Sequence, residues 1–365
     1  MSMVFLLLLV LTALALQVRI AGKSFEKLSA DYSADRNVVN PEERFTVELS
    51  VRNHGRRRIS YLKAEVFFDR GFCLCGKSGE ICGDAERGGT LFSESVRLKG
   101  GQTVRIPIPV QVKERGRYVL PHPELAVGDF LGVRERKMTL SGYRELIVAP
   151  GELPSAEILP ALGGFLGELS VSRFLFEDPL MTVGIREYTG QEPMKKISWA
   201  QSARRGTWMV KEYDHTAEPT VCVLLDMDTA VLPWELSELC FSAARTVCSF
   251  LEEQRIPYQF RTDAAMDGAV STLCGIAQGI GEAHHEAVLE CLGRASARAA
   301  FSREALQKAA AAGNQQDFQT VPGAIIVLPD ETYRSGWESW ERQERAQGRM
   351  ILFLFASAWL RKADD

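Results

Sequence analysis

T-V-C-V-L-L-D, Thr220 to Asp226, is a short run of apolar and β-branched residues closed by an aspartate. Six such residues bounded by polar sequence read as a strand buried on both faces. Downstream the period lengthens. Pro233 suits the first turn of a helix running to about Arg255, with Leu236, Leu239, Ala243, Val247, Phe250 and Leu251 recurring on one face. Tyr258–Arg261 is a short strand, and His284–Gly293 and Ser302–Ala312 are helices, the second opened by Ser302 and stopped by Gly313. Ala324–Leu328 and Met350–Phe355 are buried strands around a charged helix, Trp337–Gln347. This alternation is the order of an open α/β sheet over residues 220–365.

Upstream of Thr220 the texture is different. Phe45–Val51 reads F-T-V-E-L-S-V, an alternation with the period of a half-buried strand. Tyr61–Phe68, Gly116–Leu120 and Glu145–Val148 are further strands, and Val104–Val112, with Pro107 and Pro109, suits a sheet edge. Short strands with turns between them and no long helical period imply a β-sandwich-like domain over residues 24–153. Pro150–Pro154 reads as its boundary. Residues 154–219 then form a linker, holding Gly163-Gly164, and a charged arm.

The chain has 365 residues, a net charge of −4 and 25% charged residues, a balance that excludes wholesale disorder and a polytopic membrane protein. The acidic excess argues against nucleic acid as a partner. The N-terminus is an exception to the average: Met1 to Val18 carries no charge. A helix over Met3–Val18 is about 24 Å long, short for a bilayer core of about 30 Å. Arg19, Lys23 and Lys27 follow it, which favours a membrane anchor over residues 1–23 with the rest of the chain cytoplasmic. A cleaved signal peptide is the alternative, with Ala13-Leu14-Ala15 as its cleavage-like site.

Short motifs point to little chemistry. Gly71–Ser78 matches the phosphate-loop pattern, but the Gly-rich sequence after it is no helix, so the phosphate cradle has no N-terminus to build on. Cys73, Cys75 and Cys82 lack a fourth zinc ligand nearby. Cys222, Cys240, Cys248, Cys274 and Cys291 lie among apolar residues, as buried free thiols do, in accord with a reducing compartment. His284-His285-Glu286 begins like a zinc-protease helix, but Leu289 stands where the second histidine belongs. No nucleophile elbow or catalytic triad is readable, so no catalytic residue is assigned and the chain reads as a non-enzyme.

The densest signal is Gly184–Glu212, G-I-R-E-Y-T-G-Q-E-P-M-K-K-I-S-W-A-Q-S-A-R-R-G-T-W-M-V-K-E. Its charges and aromatics suit either a solvated arm pinned to a sheet or a docking surface, with Trp199 as the buried pin under both readings. The segment resembles the signature of the domain-of-unknown-function 58 family in Gly184, Arg186, Glu187, Tyr188, Pro193, Lys195, Ile197, Trp199, Ser202, Ala203, Arg204, Lys211, Glu212 and Asp226. Gln191-Glu192 stands where that family has Gly-Asp. Gly116-Arg117-Tyr118 and Asp129–Val133 resemble its upstream pieces. The resemblance implies a membrane anchor, a β-sandwich-like region and a von Willebrand factor A-like α/β domain. It also implies a non-enzymatic adaptor working with a MoxR-type AAA+ ATPase. The arm's own density of charge, Tyr, Trp and Arg makes Arg186, Glu187, Tyr188, Lys195, Trp199, Arg204 and Lys211 the expected partner-binding set.

In an A-type domain the first strand ends in D-x-S-x-S, whose oxygens hold a divalent cation. Here the corresponding residues are Asp226-Met227-Asp228-Thr229-Ala230, with Asp330 as a more distant carboxylate. Ala230 has no ligand atom, so Asp226, Asp228 and Asp330 are expected to form a degenerate, empty site, and no cofactor is expected. A metal-dependent ligand-binding module is the first alternative to the adaptor. A nucleotide-binding enzyme acting through Gly71–Ser78 is the second.

Overall fold

The computed structural model describes Phe5, Thr12 and residues 27–76, 79–84, 88–128, 135–173, 178–214, 220–228, 232–268, 274–312 and 323–363. The chain divides into two compact units, Met1–Pro150 and Gly151–Asp365.

The first unit is built of strands. In chain order they are β1 (Leu28–Ala34), β2 (Val38–Val39), β3 (Arg44–Asn53), β4 (Ile59–Phe68), β5 (Phe72–Leu74) and β6 (Glu80–Asp84), then β7 (Gly89–Leu98), β8 (Thr103–Val112), β9 (Gly116–Val119), β10 (Glu124–Gly128), β11 (Glu135–Thr139) and β12 (Glu145–Val148). They form sheets of order β1-β3-β8-β5, β11-β10-β4-β7-β6 and β2-β12-β9. Alternation decides which side chains are inside. Phe45, Val47, Leu49 and Val51 of β3 join Leu62, Ala64, Val66 and Phe68 of β4 and Ile106, Ile108, Val110 and Val112 of β8 in one core. A one-residue slip of any of these strands would turn its whole apolar set outward, so the pattern fixes the register. Each large aliphatic or aromatic side chain buried here contributes about 1.5–3 kcal/mol.

The proline-bearing β8 is not at an edge: it lies between β3 and β5. It tolerates prolines because β5 reaches only Val110–Val112 by strand pairing. On that side the Pro109 carbonyl accepts from Cys75 N at 2.9 Å, so the missing N–H of this proline interrupts no long ladder.

The second unit opens with α1 (Ser155–Arg173), which covers the Gly163-Gly164 segment expected to be a connector. Ile158, Leu162, Phe165 and Leu169 are its buried residues, at helical spacing. After it come β13 (Asp178–Glu187), α2 (Trp199–Arg205), β14 (Met209–Asp214), β15 (Val221–Leu225), α3 (Trp234–Glu253) and β16 (Tyr258–Thr262). They are followed by β17 (Ala264–Met266), β18 (Cys274–Gly279), α4 (Glu282–Arg294), β19 (Ala295–Ala299), α5 (Arg303–Ala312), β20 (Gly323–Leu328), α6 (Glu338–Ala346), β21 (Met350–Phe355) and α7 (Ser357–Ala363). Five strands make a sheet of order β18-β16-β15-β20-β21, parallel except at β18. All five residues of β15 are buried. Val221, Val223 and Leu225 join one apolar cluster with Phe241 and Leu251, while Cys222 and Leu224 join another with Leu306 and Trp337.

Several expectations are corrected. The fold class, an N-terminal membrane anchor followed by a β-sandwich-like domain and an α/β open-sheet von Willebrand factor A-like domain, is not what forms. Strand at 42% outweighs helix at 31%, and the strands fall into several small sheets. The second unit's main sheet carries an antiparallel edge, and β13, β14, β17 and β19 make two separate ribbons. These strands lacked a sequence signal: Ala295–Ala299 is A-S-A-R-A and Cys274–Gly279 is C-G-I-A-Q-G, neither rich in β-branched residues. No helix among the described residues is long and apolar enough to cross a membrane, which overturns the single-pass, membrane-anchored assignment. The segment on which that assignment rested, Met1–Lys23, lies outside the described residues apart from Phe5 and Thr12, as do Thr229, Ala230, Gly313 and Asp129–Val133. Cys222, Cys240 and Cys248 are buried and free, but Cys291 is disulfide-bonded, against the expectation of a free thiol.

Candidate functional site

The Gly184–Glu212 arm is an antiparallel ribbon with a small helix folded between its strands. Gly184 pairs with Glu212, Ile185 with Lys211, Arg186 with Val210 and Glu187 with Met209. Ile197 bridges to Val210 as well, which ties the intervening segment to β14. Helix α2 then ends at Gly206, whose φ of 70° is the left-handed stop that glycine supplies without strain.

Some signature residues hold this shape. The Ser202 hydroxyl donates to Ser198 O at 2.9 Å and accepts from Met209 N at 2.8 Å, fastening α2 to β14. Arg186 pairs with Glu192 at 2.6 Å. The Glu192 carboxylate also accepts from Thr189 N at 3.1 Å and from the Thr189 hydroxyl at 2.8 Å. The hydroxyl first, and the Arg186 guanidinium after it, hold the Glu192 carboxyl down at about 2. Ile197, Met209 and Val210 are the buried pins.

Trp199, expected to be the pin, is 61% exposed. It lies on α2, and its ring centroid stands 6.1 Å from that of Trp208, itself 52% exposed; Tyr188 stands 5.7 Å beyond. Met194 and Ile185 are exposed on the same arm. Glu187, Lys195, Arg204 and Lys211 are exposed too, and the three cations form no ion pair with a described residue. The segment holds six basic and three acidic side chains, a net +3 in a chain of net −4. Thus the structure splits the proposed partner-binding set. Arg186 works inside the arm, Tyr188 is half-buried with its ring against Trp208, and Glu187, Lys195, Trp199, Arg204 and Lys211 are exposed.

A second cluster sits at the carboxyl end of β15. Asp226 is fully buried, and its Oδ2 accepts from Arg303 Nε at 2.6 Å and from Trp337 Nε1 at 2.7 Å. Its Oδ1 accepts from Asp228 N at 2.9 Å. Asp228 Oδ2 takes the first backbone N–H of α5, from Arg303, at 2.7 Å, and the Asp228 carbonyl accepts from the Arg303 guanidinium at 2.8 Å. Asp263, also fully buried, accepts from Met227 N at 2.8 Å through Oδ1, while its Oδ2 has no hydrogen-bond partner. Burial, and then the Asp226 charge, push the Asp263 carboxyl well above the ordinary carboxylate range.

Arg303 therefore puts a guanidinium on the Asp226 carboxylate, with the Asp228 backbone carbonyl beside it. A divalent ion there would have to displace it from two hydrogen bonds. Asp330 is used elsewhere, capping the 3₁₀ segment Glu331–Trp337 by accepting from Glu331 N. Among the described residues no group of three or more His, Cys, Asp or Glu is placed to hold a metal. Arg303, Trp337 and Asp263 were missed in the sequence because they lie 77, 111 and 37 positions from Asp226, with no motif spacing to join them. One signal was available in retrospect. Gly336 leaves room for the guanidinium, since a Cβ there would stand 2.1 Å from an Arg303 terminal nitrogen.

The remaining motifs resolve simply. After Gly71–Gly76 comes strand β6 and not a helix, and Lys77 and Ser78 lie outside the described residues. The Tyr258 hydroxyl bonds His285 Nδ1 at 3.0 Å, and the His284 ring packs edge-on against Tyr258.

No family model and no curated protein matches the chain. Among solved structures it is similar over 33% of its length to an alkylpurine DNA glycosylase from Pseudomonas fluorescens, at 10% identity and a TM-score of 0.20, covering 30% of that chain. A CARDB domain from Pyrococcus furiosus is similar over 33% of this chain and 91% of its own, at 13% identity and a TM-score of 0.21. A cohesin module from a Clostridium perfringens glycoside hydrolase is similar over 33% and 96%, at 12% identity and a TM-score of 0.25. Likeness this slight carries no argument about function.

Proposed function

We propose that this chain is a non-enzymatic interaction protein whose Gly184–Glu212 arm docks a protein partner. The observation that carries the reading is the exposed Trp199–Trp208 pair on an arm that also exposes Arg204, Lys195 and Lys211. Two tryptophans more than half exposed leave apolar area in water that a partner would remove, and Trp and Arg dominate binding energy at interfaces. The internal ion pair and the Ser202 hydrogen bonds hold the arm in shape, so docking loses little conformational freedom. The resemblance of the arm to the domain-of-unknown-function 58 signature supports a MoxR-type AAA+ ATPase as the partner. The guanidinium lodged against Asp226 speaks against a metal-dependent ligand module.

Co-expression with such an ATPase from the same genome, followed by affinity purification of this chain, tests the reading. Wild type is expected to retain the ATPase, and Trp199→Ala and Arg204→Ala to lose it with unchanged melting temperatures. Retention by both variants, or no retention by wild type, contradicts it.

A further inference from the structure

In the first unit, Arg58, Ser60, Tyr61, Arg97, Lys99 and Gln102 line an open cavity of about 560 Å³, within the range of small-molecule sites. A β-bulge shapes it. Ile59 pairs with Leu98 and Leu62 with Val96, so Ser60 and Tyr61 on β4 stand opposite the single residue Arg97 on β7. Bulges of this kind bend the strand and re-aim side chains. Arg58 and Lys99 flank the Ile59–Leu98 pair at the ends of the same two strands.

The walls are fastened from below. Asn53 is 1% exposed, and its Nδ2 donates to Arg57 O at 2.8 Å and to Lys99 O at 3.2 Å. Its Oδ1 accepts from Gly55 N at 2.9 Å. The two loops meet so closely at Gly100 that a Cβ there would lie 2.3 Å from Arg56 O. Gln102 Oε1 accepts from Lys99 N at 2.8 Å, closing the second loop on itself. One buried amide therefore holds two cation-bearing loops together.

None of Arg58, Arg97 or Lys99 forms an ion pair with a described residue. Three like charges converging on one cavity repel one another unless a counter-charge is supplied. We propose that this cavity is a binding site for a compact ligand bearing a phosphate group. The arginine forks match phosphate oxygens two at a time, which a single carboxylate would not satisfy across three cations. Ser60 and Tyr61 hydroxyls and the Gln102 amide supply neutral donors beside them. The free phosphate of a small molecule and the headgroup of a lipid share this chemistry.

The test uses the full chain in two arms: calorimetric titration with inorganic pyrophosphate, and sedimentation with phosphatidic acid–phosphatidylcholine vesicles. Arg97→Ala and Arg97→Gln remove the fork at an exposed position, and Arg105→Ala, on β8, controls for general charge loss. Pyrophosphate binding weakened about tenfold or more by both Arg97 variants and not by Arg105→Ala supports a soluble ligand. Vesicle binding alone, with the same dependence on Arg97, supports a lipid headgroup. Binding in neither arm, or loss equal in Arg105→Ala, overturns the proposal.

Discussion

Arg303 Nε lies 2.6 Å from Asp226 Oδ2, which makes the side chain that opens α5 the counter-ion of the fully buried carboxylate at the end of β15. Trp337 donates to the same oxygen at 2.7 Å. A buried carboxylate needs both charge and hydrogen-bond compensation, and this one receives them from two elements distant in sequence. The pair thus ties β15, α5 and the Glu331–Trp337 segment to a single point.

Removing Arg303 leaves Asp226 charged and unpaired in the interior. Arg303→Met is expected to lower unfolding stability by about 3–5 kcal/mol in urea. Adding Asp226→Asn to it should recover part of that loss, because the two substitutions share one interaction. Equal and additive losses from the two would show that the pair is not coupled.

Trp337→Phe keeps the ring buried and deletes the indole N–H. A loss of about 1–3 kcal/mol is expected, as for a buried acceptor left one partner short. Far-ultraviolet circular dichroism should not change, since the substitution leaves the backbone alone.

The arm separates scaffold from surface. Ile197 is 4% exposed, and Ile197→Ala should lower stability by about 2–4 kcal/mol. Trp199→Ala, at a site 61% exposed, should stay within about 0.5 kcal/mol of wild type. A comparable loss in both would restore Trp199 as a structural pin.

The Glu192 carboxyl, held at about 2, predicts a pH dependence of the arm. Its folded value is depressed, so the stabilisation is present above the ordinary carboxylate range and is lost as pH falls through about 2. In a carboxyl-carbon NMR titration, Thr189→Val should move the Glu192 midpoint upward, and Arg186→Ala should do so by less. Midpoints unmoved by either substitution would mean that neither contact exists in solution.

Strands whose residues alternate or run wholly apolar were legible from the sequence, because burial decides both pattern and pairing. Phe45–Val51 lies within β3, and Val221–Leu225 is β15 with all five residues buried. Long-range chemistry was not legible. Nothing local to Asp226 announces that Arg303 and Trp337 share its oxygen. The surface character of Trp199 was also hidden, since a large apolar ring in a charged segment reads as the side chain that pins it. Structure separated them by placing Ile197, Met209 and Val210 inside and the two indoles outside.

The central claim is that the outward aromatic and basic side chains of the arm bind a protein partner. The most direct measurement is calorimetric titration of the purified full chain against a purified MoxR-type ATPase, comparing wild type with Trp199→Ala/Arg204→Ala. Loss of a hot-spot tryptophan is expected to weaken binding by about thirtyfold or more, at an unchanged melting temperature. Affinity equal in the two proteins, or no heat of binding with wild type, would contradict the account.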